Sequence, residues 1–100
     1  MKTSIQQLAD KYLVILDGEL DTAAAAEVEK TLNPLYTSNG KDVIIDCSAL
    51  EYIASSGLRI LIGILKSAKA GGSKVVLKNM NEDIKSVFKL TGFINIFDVE

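Results

Sequence analysis

An α/β fold, a mixed β-sheet with helices packed on it, is predicted by three features of the sequence. Short apolar runs rich in β-branched residues alternate with longer segments of helical spacing. Val43-Ile44-Ile45 is continuously apolar, as central buried strands are. Two strand-like runs open the chain with only Ala9-Asp10-Lys11 between them, a hairpin that makes the sheet mixed rather than wholly parallel. The expected order is β-β-α-β-α-β-α-β, with right-handed strand–helix–strand crossovers.

Taken in order, Ile5 to Ala9 reads as a short edge strand. Tyr12-Leu13-Val14-Ile15-Leu16 reads as a second strand, stopped by Asp17-Gly18. Glu19-Leu20-Asp21-Thr22 offers helix caps ahead of Ala23-Ala24-Ala25-Ala26. Val28, Leu32 and Leu35 then continue a buried stripe. Pro34 falls inside this pattern, so one helix with a local distortion is expected to about Ser38, closed by Asn39-Gly40 as a left-handed cap. Asp42 to Cys47 is the central strand, and Ser48 to Ala54 is expected to be a connection holding Leu50, Tyr52 and Ile53. Leu58 to Lys69 has a broad helical apolar face ended by Gly71-Gly72. Lys74 to Lys78 is a short strand. Asn79 to Asn81 caps a helix holding Ile84, Val87, Phe88 and Leu90, Thr91-Gly92 stops it, and Phe93 to Val99 gives a last short strand or tail.

Composition excludes several functions. One hundred residues suit one domain, 1–100, with a modest core. The formal charge is −2, without a basic stripe, which argues against nucleic acid as partner. The absence of histidine removes the imidazole that Ser–His–Asp and Cys–His sites need, and one cysteine without histidine argues against a zinc site. No enzymatic activity, resident cofactor or metal is therefore expected. The single Cys47, the lack of a signal peptide and the lack of an apolar stretch of ~20 residues fit a cytoplasmic protein without a membrane partner. Gly71-Gly72-Ser73-Lys74 lacks the spacing of a phosphate loop and precedes a strand, so it reads as a helix stop. No strand edge or helix face is obviously built for self-association, so a monomer is expected.

The most informative element is Ser55-Ser56-Gly57-Leu58, which opens the long apolar-faced helix. A serine there lies beside unpaired backbone N–H groups, where the helix dipole tolerates added negative charge. A helix cap and a phosphorylatable switch are both open readings, with Ser55 the first candidate and Ser56 the alternative. Helical spacing puts Ser55, Arg59, Ile62 and Lys66 on one exposed stripe, readable as a partner-binding patch or as ordinary solvated charge. Leu58, Leu61, Ile64 and Leu65 take the core side. Asp21 reads as an N-cap or, with Asp46, as a strand-end acid able to hold Mg²⁺ beside a phosphate. Asp46 with Ser48 reads more simply as a side-chain-to-backbone clasp.

Gly18-Glu19-Leu20-Asp21, the stretch Asp46-Cys47-Ser48 through Leu50, Tyr52, Ile53, Ser55-Ser56-Gly57-Leu58, Gly71-Gly72 and Leu90-Thr91-Gly92-Phe93 together resemble the STAS domain of bacterial anti-sigma factor antagonists. The resemblance covers nearly the whole chain and leaves no room for an attached transporter or sensor domain. It implies that a serine kinase, itself the anti-sigma factor, uses Mg-ATP to phosphorylate the residue at Ser55. It further implies that a PP2C-type phosphatase reverses this, and that Asp21 lies near the switch serine. Asp21, Ser55, Ser56, Gly57, Arg59, Ile62 and Lys66 are the expected partner-binding residues. Ala54 stands where the family often has Asp. The competing expectation is a STAS-type scaffold, or a lipid-transport accessory subunit, that binds its partner without serine phosphorylation.

Overall fold

The structure, a computed structural model, describes residues 1–37 and 40–100. Strands β1 (Lys2–Gln7), β2 (Lys11–Leu20), β3 (Asp42–Ile53), β4 (Val75–Lys78) and β5 (Asp98–Val99) form one sheet in sequential order. Helices α1 (Thr22–Leu32), α2 (Ser55–Ala70) and α3 (Glu82–Thr91) make the connections. β1 is antiparallel to β2 and every other pairing is parallel, which is the mixed sheet and the element order expected from the sequence. Because β2 to β5 step across the sheet in one direction, right-handed crossovers carry all three helices to the same face.

The core lies between that face and the helices. Val14 and Leu16 of β2, Val43, Ile45 and Cys47 of β3, and Val75 and Leu77 of β4 point into it, joined by Val28, Leu32, Leu61, Ile64, Ile84 and Phe88 from the helices. The Phe88 ring meets Phe97 edge-on, with centroids 5.7 Å apart, which ties α3 to the C-terminal segment. The opposite sheet face carries Leu13, Ile44 and Val76 in one row across three strands. None of these three belongs to the core cluster.

Two strands run further than the sequence suggests. Gly18 does not stop β2. It stands inside the strand at φ +112°, opposite Leu50, where the ladder shifts register. Glycine allows that backbone conformation without a Cβ penalty. Ser48 to Ile53 is strand, not a connection. Ile15 faces Asp46 while Asp17 faces Ala49, and Gly18 faces Leu50 while Glu19 faces Tyr52. β3 therefore carries an extra residue at each shift, as a β-bulge does. Its inward positions run Val43, Ile45, Cys47, Leu50, Ile53, so the spacing lengthens from two to three after Cys47.

Smaller corrections follow. β1 starts at Lys2 and ends at Gln7, three residues earlier than the Ile5-to-Ala9 reading at its start, and Lys11 already belongs to β2. α1 stops at Leu32 rather than near Ser38, and Asn33–Thr37 continues as a 3-10 turn. Pro34, which has no N–H to donate, explains the change of helix type. Of the Asn39-Gly40 cap, Asn39 lies outside the described residues, and Gly40 has φ +83°. The expected caps at Asp21 and Asn81 are present: the side chains accept from the N–H of Ala24 and of Ile84, each at 2.8 Å. The expected clasp is present too, the Ser48 N–H donating to Asp46 Oδ1 at 2.9 Å.

Burial pushes the Cys47 thiol up to about 12, so the thiolate that reacts with disulfide reagents is scarce at neutral pH. We predict that native protein resists a thiol reagent at pH 8 and reacts fully once unfolded. Rapid modification of the native chain would contradict this burial.

Candidate functional site

The site forms where β2 and β3 end side by side. Leu20 pairs with Ile53, and the Ala54 N–H donates to the Leu20 carbonyl at 2.8 Å. Asp21 and Ala54, the residues that follow the paired strand ends, are the N-caps of α1 and α2, and Ser55 is the first residue of α2. The sequence brings them together through two paired strand ends rather than through any local motif.

Gly57 seats α2 on those ends. A Cβ there would lie 2.6 Å from Leu20 Cγ and 3.1 Å from Ile53 Cγ1, closer than carbon atoms pack. Only glycine lets the first turn of α2 rest on Leu20 and Ile53. The turn then leaves Ser55 exposed and Ser56 half-buried. Ser56 Oγ is buried without a hydrogen-bond partner among the described residues. The two serines thus differ in the property that matters for modification: the Ser55 hydroxyl is open to solvent and the Ser56 hydroxyl is not.

Neither serine caps the helix. The N-cap is Ala54, which has no side chain able to accept, and no side-chain cap bond is made. The first intrahelical bond runs from the Leu58 N–H to the Ala54 carbonyl, so the N–H groups of Ser55, Ser56 and Gly57 precede it. The first turn contains no acidic residue. Free N–H groups, the positive end of a helix dipole and an uncommitted hydroxyl therefore coincide at Ser55. Asp21, half-buried, is engaged as the α1 N-cap.

The predicted stripe is partly realised. Arg59 and Lys66 are exposed and Ile62 is half-buried, while Leu58, Leu61, Ile64 and Leu65 are buried. Asp46 lies inside β3 rather than at the strand end, nine residues before Ser55. The Ser48 N–H, then the Ser48 side chain, Asn79 and Lys78, outweigh partial desolvation and hold its carboxyl below the usual range. Asn79, at φ 61°, donates from Nδ2 to Asp46 Oδ1 at 3.3 Å. Asp46 is thus a structural clasp. Among the described residues no group of three or more His, Cys, Asp or Glu could hold a metal ion.

Sequence reasoning missed the groove beside the serines. It has a volume of ≈ 550 Å³ between α1 and α2, lined by Thr22, Ala25, Ala26, Glu29, Tyr36, Ser56, Arg59 and Ile60. Burial and the nearby Glu29 carboxylate raise the Tyr36 phenol above its ordinary value, and the ring lies against Gly63. The available signal was the alanine run, whose small side chains leave α1 shallow where it faces α2. Tyr52 was placed in a loop. It stands near the end of β3 with half its surface exposed.

Among the described residues no helix is long and apolar enough to cross a membrane. A family model described as the STAS domain matches residues 2–100. BtrV of Bordetella bronchiseptica is 27% identical over 99 residues, covering 99% of this chain and 85% of that one. The anti-sigma-B factor antagonist of Staphylococcus aureus is 26% identical over 88 residues, covering 88% of this chain and 82% of that one. The Bacillus cell fate determinant SpoIIAA, solved in its phosphorylated form, superposes with a TM-score of 0.76 over 99% of this chain and 91% of that one. At 18% identity that likeness concerns the fold.

Proposed function

The chain belongs to the STAS domain family, among relatives named as anti-sigma factor antagonists, and on that premise we propose that it is a cytoplasmic partner switch controlled at Ser55. Unmodified, it docks the Ser55 end of α2 on a serine-kinase anti-sigma factor and frees a sigma factor. The kinase spends Mg-ATP to esterify the Ser55 hydroxyl, which ends the complex. A PP2C-type phosphatase restores the docking form. The chain itself catalyses no step. The observation that carries this reading is the contrast between an exposed, uncommitted Ser55 and a Ser56 whose Oγ is buried.

The switch needs no refolding. A phosphate adds about −1.5 to −2 charges and three acceptor oxygens. At Ser55 the free N–H groups of the first turn receive it without rearrangement of the core. Its effect falls on the partner, which would have to bury the new charge. The test is the affinity of the chain for the kinase-type partner, measured with and without Mg-ATP. The reading expects tight binding without ATP and release with it. Binding that ignores ATP, together with an unmodified Ser55, would instead fit a scaffold that works without phosphorylation.

Arg59 and Lys66 extend the docking surface along α2. Arg59→Glu or Lys66→Glu is expected to weaken docking about fivefold or more, since reversing a charge beside an interface costs on the order of 1–3 kcal/mol. Titration calorimetry checks this, and unchanged affinity in both variants would remove that stripe from the interface.

A further inference from the structure

We propose that Asp46 is a positioning residue for Ser55: its clasp holds the bulge that decides which serine α2 presents to solvent. The inference rests on Ser55 being the switch. Between the Ile15–Asp46 and Asp17–Ala49 pairs, β2 has one residue, Leu16, and β3 has two, Cys47 and Ser48. The two strands are parallel, and bulges in parallel ladders are rare, so this one needs support of its own. Asp46 supplies it. Its Oδ1 accepts from the Ser48 N–H at 2.9 Å, across the bulge, and from Asn79 Nδ2 at 3.3 Å. The Asp46–Lys78 pair is also the last of the β4 ladder. The clasp therefore stands where β3 loses its second neighbouring strand. Beyond it β3 keeps β2 and one side-chain contact, Asn81 Nδ2 donating to the Leu50 carbonyl at 3.1 Å.

A slip of one residue would change the identity of the switch. Without the extra residue of the bulge, Tyr52 would stand where Ile53 now pairs with Leu20, and each later residue would move one place along. Ser55 would take the position of Ser56, whose Oγ is buried. Ser56 would fall on the seat of Gly57, where a Cβ lies 2.6 Å from Leu20 Cγ. Leu50 and Ile53, both buried in the core, would give up their inward places to Ala49 and Tyr52. The clasp thus shares the frame with these apolar residues and Gly57. Removing Asp46 loosens the second half of β3 without unfolding the chain.

Three variants of the full chain test this. Asp46→Ala removes the acceptor, and Asp46→Asn keeps an oxygen in its place. Val43→Ala weakens β3 ahead of the bulge, where Val43 is fully buried. Amide hydrogen exchange reads the frame without any partner. The Ala54 N–H, which donates to the Leu20 carbonyl, is compared with the Ile45 N–H in the first half of β3. Asp46→Ala is expected to speed exchange at Ala54 relative to Ile45 by about tenfold or more, the size of one lost charge-assisted hydrogen bond. Asp46→Asn is expected to stay within about threefold of the parent. Val43→Ala is expected to leave the ratio unchanged, because it destabilises the chain as a whole. Single-turnover phosphorylation at Ser55 by the cognate kinase follows, at a temperature where every variant is folded. It is expected to slow about threefold or more in Asp46→Ala and to keep the parent rate in Val43→Ala. An unchanged exchange ratio in Asp46→Ala, a parent rate of phosphorylation in that variant, or equal slowing in Asp46→Ala and Val43→Ala would overturn the proposal. A parent chain that the kinase leaves unmodified would count against the Ser55 reading itself, and the exchange ratio would still decide whether Asp46 holds the frame.

Discussion

Ser55→Glu lowers affinity for the kinase-type anti-sigma partner by about two powers of ten or more, and full phosphorylation lowers it further. A buried charge without a paired cation costs on the order of 3–5 kcal/mol, which is about two to four powers of ten in affinity at ~1.4 kcal/mol per tenfold. One carboxylate supplies about half the charge of a phosphate and fewer acceptors, so the glutamate variant falls at the low end. Ser55→Ala behaves in the opposite sense. It docks as the unmodified chain does, because the Ser55 hydroxyl makes no cap bond that the fold needs, and ATP no longer releases it. Far-UV circular dichroism of each variant should match the parent, since Ser55 is exposed. An affinity for the glutamate variant equal to that of the parent would mean that the partner does not bury this end of α2.

Gly57→Ala produces the second large effect, through the fold. The added methyl would stand 2.6 Å from Leu20 Cγ and 2.9 Å from Leu20 Cδ2. Leu20 is fully buried, so it cannot swing aside into solvent. Overpacking of this kind costs about 1–3 kcal/mol, or a fall in melting temperature of about 4–20 °C for a chain of this size. The seat of α2 moves as well, so docking weakens beyond what the lost stability explains. Ser56→Ala, one position away, is the contrast: it deletes a buried hydroxyl that has no partner among the described residues, which leaves stability unchanged or raised. Differential scanning calorimetry of the two variants checks the pair. Equal melting temperatures would show that α2 can lift off Leu20 at no cost.

Much of the fold was legible in the sequence because its signals are local. Val43-Ile44-Ile45, the alanine run and the caps at Asp21 and Asn81 each declare themselves within a few residues. The second half of β3 was hidden by its bulges. After Cys47 the inward residues Leu50 and Ile53 recur every third position, a spacing that belongs to neither a regular strand nor a helix. Gly18 misled for a related reason: its positive φ serves an irregular position inside β2 rather than a turn.

At the site, the position of Ser55 at a helix start was readable, but the helix cap was not. The sequence offers two serines as natural caps, whereas the chain uses Ala54. The paired ends of β2 and β3 fix where α2 begins, and this tertiary constraint overrides the capping preference. The inequality of Ser55 and Ser56 follows from the seating of Gly57 on Leu20, a contact between residues far apart in the chain. The α1–α2 groove depends likewise on strand order and helix packing.

The account stands most directly on which hydroxyl takes the phosphate. Incubation of the chain with its cognate kinase and Mg-ATP, followed by mass-spectrometric mapping, is expected to find a single phosphate, on Ser55. A phosphate confined to Ser56, or a chain left unmodified on every serine, would contradict it.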